Sequence, residues 1–253
     1  MTHVVHLAAQ AGVRYAIRNP KAYVDINLDG FIQVMEMVCR HPSLKFIYAS
    51  SSSVYGINTK IPFSETDITE TPCSLYGATK KSNELIAHAY HHMYGICVTG
   101  LRYFTVYGPW GRPDMAYFSF TEAIMAEKPI QLYNQGNMQR DFTYIEDIVE
   151  GTAAAIDLSA PYEIFNLGNN HPEEILTLVT LIEKYTGKKA IKELAPMEQG
   201  DVLMTYAGIS KSRATLQFNP KVSLEEGMKR FLEWYFMYKK LSTNSISPFS
   251  VID

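Results

Sequence analysis

Short apolar runs alternate along this chain with longer stretches whose apolar positions recur every three or four residues. That alternation is the pattern of a parallel sheet covered by helices, an α/β fold. Buried strands are predicted at residues 4–7, 45–49, 98–103 and 163–166, and the second of these runs into four serines, Ser50 to Ser53. A helix is predicted over 23–40 from the spacing of Ile26, Ile32, Val34, Met35 and Val38, and His41-Pro42 ends it. A second long helix over 75–94 stops at Gly95, a residue free to take the left-handed conformation that closes a helix.

The second half reads differently. Pro109 to Pro113 is rich in turn residues. Helices are predicted at 117–126, 147–158, 176–186, 210–216 and 223–239, with a strand at 130–133 between the first two. Residues 243–253 are polar without a period and read as a mobile tail.

Composition narrows the function classes. A net charge of -3 offers no broad basic surface, which argues against nucleic acid or an anionic membrane as partner. No apolar run approaches the ~20 residues that span a bilayer, and no basic segment followed by an apolar one marks a signal peptide at the start. Cys39, Cys73 and Cys97 are odd in number and lack CxxC spacing, so they read as reduced thiols of a cytoplasmic protein. His88, His91 and His92 share a helix face, but no cysteine or carboxylate cluster completes a metal site, and a plain surface is the expectation.

The chemistry concentrates at Tyr76-Gly77-Ala78-Thr79-Lys80 and the serines before it. Residues i and i+4 of a helix lie on one face, so the phenol and the ammonium are expected in one cleft. There the cation would lower the tyrosine pKa and make Tyr76 a general base. Alone, the pair reads more readily as an ordinary amphipathic surface. The four serines together change this, because Ser50 to Ser53 follow a buried strand at its carboxyl end, where open α/β sheets bind ligands.

These residues carry a resemblance. The serine-rich strand end with Val54-Tyr55-Gly56, then Tyr76 and Lys80, then Leu101 to Pro109, resemble the extended short-chain dehydrogenase/reductase superfamily, the NAD-dependent epimerases and dehydratases. Gly108 to Met115 and Arg140 to Tyr144 look most like its UDP-glucuronate 4-epimerases, and the likeness runs from about His3 to Tyr238. It implies a doubly wound, Rossmann-like parallel sheet with a smaller, interleaved substrate domain. The cofactor part would take 1–107 and 141–168, the nucleotide-sugar part 108–140 and 169–240, and the tail 241–253. No G-x-G-x-x-G or G-x-x-G-x-x-G turn occurs, so the sheet is expected to lack its first βα units.

The resemblance also implies roles. Ser51, Tyr76 and Lys80 would be catalytic, and Leu7, Ala8, Ala9, Asn27, Lys80 and Tyr103 would touch NAD. Ser51, Ser52, Ser53, Thr105 and Arg112 would receive the uronate, with Arg14 added to that pocket; each arginine alone reads equally well as a solvated charge. Arg140 would grip the diphosphate, Tyr133 would stack on uracil and Asp201 would bind the ribose. Ser53 stands where sugar dehydratases and uronate decarboxylases of the superfamily carry an acid, which favours epimerisation. Glu198, where relatives place a neutral or basic residue, is expected to repel the diphosphate. The partners expected are a UDP-uronic acid and a second copy of the chain, through the helices at 23–40 and 75–94. The alternative is a non-catalytic remnant that binds a UDP-sugar or pairs with another epimerase subunit.

Overall fold

The computed structural model describes residues 1–158 and 160–244. Its first half is β1 (His3–His6), α1 (Val13–Arg18), α2 (Pro20–Tyr23), α3 (Gly30–Cys39), β2 (Lys45–Ser51), α4 (Leu75–Tyr94), β3 (Cys97–Tyr103) and β4 (Thr105–Tyr107). There follow α5 (Ala116–Met125), β5 (Pro129–Tyr133), β6 (Gln139–Tyr144), α6 (Ile145–Asp157), β7 (Tyr162–Leu167) and β8 (Pro172–Glu174). The chain closes with α7 (Ile175–Thr186), β9 (Ile191–Ala195), α8 (Ser210–Leu216) and α9 (Leu224–Asn244).

Strands β1, β2, β3 and β7 form a fully parallel sheet in the order β1-β2-β3-β7, with β1 at one edge. Because successive side chains point to opposite faces, Phe46 and Tyr48 pack towards Phe31 and Met35 of α3 and Ala87 of α4. Ile47 points the other way, into a cluster with Ile148 of α6 and Leu216 of α8. Both faces of the sheet are covered, as its near-continuous apolar strands require. A third cluster joins α5, α7 and α9 through Phe118, Leu178 and Phe231. Beside it lie the small sheet β4-β6-β8 and the parallel pair β5-β9.

Two expectations change. The helix predicted over 23–40 is interrupted by a π-helical turn, Val24–Asp29. The last helix runs to Asn244, so the first four residues of the expected tail continue α9, and the rest lie outside the described residues. Strands β4, β6, β8 and β9 and helix α1 went unpredicted. Of the three histidines, His91 bonds the Ile96 carbonyl at 2.8 Å and His88 packs edge-on against Tyr162.

Candidate active site

The site begins where β2 ends. Ser51 keeps an extended backbone and caps the short helical turn Ser52–Tyr55, its Oγ accepting from the Ser53 N–H at 3.2 Å. Helix α4 starts nearby, capped by Ser74, whose Oγ accepts from the Gly77 N–H at 3.1 Å. Gly77 permits the approach of these two turns. A Cβ there would lie 2.5 Å from the Ser53 carbonyl oxygen, a contact that real side chains do not make. The approach puts Tyr76 and Ser51 on the wall of one cavity, close enough for the serine hydroxyl to act on the phenol. The Ser51 hydroxyl donates to Ser53 Oγ at 3.2 Å.

The charge beside Tyr76 is not the one expected from sequence. Lys80 is buried to 3% exposure, and its Nζ donates to the Ala49 carbonyl at 2.8 Å. Burial raises the Tyr76 pKa above its ordinary value, outweighing the opposing hydrogen bond to Ser51 and the positive field of Arg112. In the chain by itself Tyr76 is therefore a neutral phenol, and Arg112, which lines the same cavity, is a cation that acts on it.

Burial pulls the Lys80 ammonium itself down to about 8 from 10.5. Between those two values the unfolded chain holds the proton and the folded chain does not, so this residue makes stability rise with pH there. Lys80→Met is expected to remove that rise, roughly 3 kcal/mol across the window. Urea unfolding of wild type and variant from pH 7.5 to 10.5 measures it, and parallel profiles would refute it.

Two adjoining cavities contain the predicted substrate residues. One, of about 270 Å³, is lined by Ser51, Ser52, Ser53, Tyr76, Thr105 and Arg112. The other, of about 300 Å³, is lined by Arg14 and Tyr133. Arg112, Arg140, Asp201 and Thr105 border both, so the two are one bent cleft. Arg112 forks onto Asp114, with Nε at 3.0 Å, a partner that sequence reading did not single out. Arg140 bonds the Gln139 and Leu203 carbonyls at 2.9 and 3.3 Å.

Arg14 lies in the second cavity and not among the serines. Its guanidinium covers the Tyr133 ring at 3.9 Å from the centroid and bonds Glu198 at 2.9 Å and Asp201 at 3.1 Å. Glu198 thus faces a cation where repulsion of a diphosphate was expected.

The expected cofactor residues gather at the carboxyl end of β1. Leu7 and Ala8 are exposed and Ala9 is half-buried. Asn27 is buried and fixes the loop after them. Its Oδ1 accepts from the Gln10 N–H at 2.8 Å, and its Nδ2 donates to the Gln10 carbonyl at 3.0 Å and Thr79 at 3.1 Å. Tyr103 has its hydroxyl 2.9 Å from Thr152 Oγ1. Among the described residues Lys80 bonds one acceptor only. A buried ammonium with donors to spare fits a group that brings further oxygen acceptors, as a nicotinamide ribose does.

Beneath the serines lies a network that sequence reading missed. Arg102 forks onto Glu84 with both bonds at 2.8 Å, and Ser50 donates to the same carboxylate at 2.6 Å. Arg102 also donates to the Tyr55 hydroxyl at 3.0 Å, and that hydroxyl donates to Asn166 at 2.6 Å. Burial alone would raise the Glu84 pKa, but the bonds and charge of Arg102 win and hold it down. No local pattern signals such a pairing, since its members stand on β2, α4, β3 and β7.

Comparison with known proteins agrees with this geometry. The NAD dependent epimerase/dehydratase family matches residues 1–168. A protein of Methanocaldococcus jannaschii is 56% identical over 236 residues, 93% of this chain and 72% of its own length. UDP-glucuronate 4-epimerase 1 of Arabidopsis thaliana is 49% identical over 96% of this chain, which spans only 61% of that protein. The UDP-glucuronic acid 4-epimerase of Bacillus cereus, in complex with UDP-glucuronic acid and NAD, superposes with a TM-score of 0.89. It is 38% identical, over 94% of this chain and 76% of its own. This chain belongs to the NAD-dependent epimerase/dehydratase family.

Proposed function

We propose that the chain carries the UDP-glucuronate 4-epimerase reaction, interconverting UDP-glucuronate and UDP-galacturonate through a 4-keto sugar. The observation that carries this reading is the shared cavity. Ser51 and Tyr76 line the same space as Arg112, Thr105, Ser52 and Ser53. A phenol–hydroxyl pair suits proton transfer at a sugar O4, and a guanidinium among hydroxyls suits a carboxylate one ring carbon away. NAD, when bound, supplies the acceptor and donor of the C4 hydride.

The rest is the work of this chain. Tyr76, once ionised to the phenolate, takes the O4 proton on oxidation and returns it on reduction, with Ser51 orienting the sugar hydroxyl. Arg140 meets the diphosphate, Asp201 the ribose and Tyr133 the uracil. Lys80, whose ammonium bonds the Ala49 carbonyl, presents its spare donors to the nicotinamide ribose. The division into a cofactor part (1–107, 141–168) and a sugar part (108–140, 169–240) follows the same reading. So does a homodimer across α3 and α4, supported by the exposed Leu85 and Met93 on the second helix.

The test is incubation of the protein with NAD and UDP-glucuronate, with UDP-galacturonate followed by proton NMR. Formation of the 4-epimer until both sugars coexist is expected. Tight UDP-glucuronate binding without turnover would instead leave a nucleotide-sugar-binding module. Arg112→Ala should raise the KM for UDP-glucuronate about tenfold, in line with a charged hydrogen bond at a half-open site. Binding of UDP-glucose, which lacks the carboxylate, should change less than twofold. Equal losses for both sugars would sink the carboxylate role.

A further inference from the structure

Three of the contacts made by Arg14 fall on the surfaces assigned above to the nucleotide or its surroundings. Its guanidinium lies over Tyr133 and bonds Asp201 and Glu198. Two of the three arginines of the cleft also feel each other. Arg14 acts with burial to lower the Arg140 pKa, while Asp201 opposes it. A dianion seated on Arg140 would therefore relieve a cation–cation repulsion and draw Arg14 towards itself. Glu198 and Asp201 both hold Arg14, and Glu198 is a carboxylate with no bond to any other cation among the described residues.

We propose that Arg14 is a second diphosphate-binding residue held in reserve, and that Glu198 is an internal competitor with the substrate diphosphate for its guanidinium. On nucleotide entry Arg14 leaves the Tyr133 ring and Asp201, which frees both for the nucleoside, and exchanges the Glu198 carboxylate for phosphate oxygens. The chain thus sets its nucleotide affinity below what its cations alone would give. Arg14 is 49% exposed and Glu198 38% exposed, so the competition is a half-solvated one, worth a few-fold in affinity and not hundreds.

This inference rests on the nucleotide-sugar reading, and binding measurements without turnover separate the two. Calorimetry with UDP and with uridine would be run on wild type, Glu198→Gln, Arg14→Gln and the double variant. UDP is expected to bind Glu198→Gln about fivefold tighter than wild type, and Arg14→Gln about fivefold weaker. In the Arg14→Gln background the second substitution should gain less than twofold, because the residue withheld is gone. Uridine, which has no phosphate, should show less than a twofold gain from Glu198→Gln. An equal gain with and without Arg14, or an equal gain for uridine, would reduce Glu198 to a through-space charge and overturn the competition. Absence of UDP binding by wild type and every variant up to millimolar concentration would overturn the nucleotide-sugar reading itself.

Discussion

Tyr76→Phe lowers the rate of UDP-glucuronate epimerisation by about three orders of magnitude and leaves UDP binding within twofold. The ring stays edge-on to Tyr23 with centroids 6.2 Å apart, so the fold keeps its packing. What disappears is the hydroxyl that lines the cavity with Ser51, the group proposed to exchange a proton with the sugar. General acid–base catalysis is worth about 10²–10⁴ in rate, which sets the expected loss. Initial rates by NMR or coupled chromatography, beside calorimetry with UDP, measure the two halves of the claim. Retention of a tenth of the wild-type rate would transfer the proton chemistry to another residue. Because burial holds the phenol above its ordinary pKa, wild-type kcat should still rise with pH above neutrality, and the residual rate of the variant should not.

The second large effect is on stability. Glu84→Gln leaves the Arg102 charge buried at 2% exposure without the carboxylate that forks onto it. Stranding a buried charge costs about 3–5 kcal/mol, a large share of the stability of a domain. Ser50 loses the anionic character of its acceptor as well, so the loss reaches the strand end that carries Ser51. Urea denaturation should show the full cost in Glu84→Gln and most of it recovered in Glu84→Leu/Arg102→Met, since a buried pair can be replaced by apolar residues of similar volume. A single-variant cost below 1 kcal/mol would show that water or a neighbouring donor replaces the carboxylate.

How much of this was legible depended on whether the cause was local. Helix α4 has the bounds its sequence suggests, because Ser74 caps one end and Gly95, in the left-handed conformation, closes the other. The parallel strands were legible from their unbroken apolar runs. The π-turn was not, since it is fixed by Asn27 bonding to Gln10 and to Thr79, which stand 17 and 52 positions away. Strands β4 and β8 are three residues each and β6 has no unbroken apolar run, and all three take their form from neighbours remote in sequence.

The candidate site divides in the same way. Ser51, Tyr76 and Arg112 were found by motif and do share a cavity. Helical spacing put Lys80 beside the Tyr76 phenol, but a carbonyl of β2 takes its ammonium. The resemblance put Arg14 with the serines, whereas its actual partners, Glu198 and Asp201, are reached only through the folded chain.

That last separation has a kinetic consequence. The bond from Arg14 to Asp201 closes a span of 187 positions, and the cleft draws in addition on residues around 51, 76, 112 and 140. Helices α4 and α9 can form early from neighbouring residues, but contacts of such sequence separation must wait for most of the chain to be in place. The binding cleft is therefore expected to be among the last parts of this polypeptide to form, after helices α4 and α9.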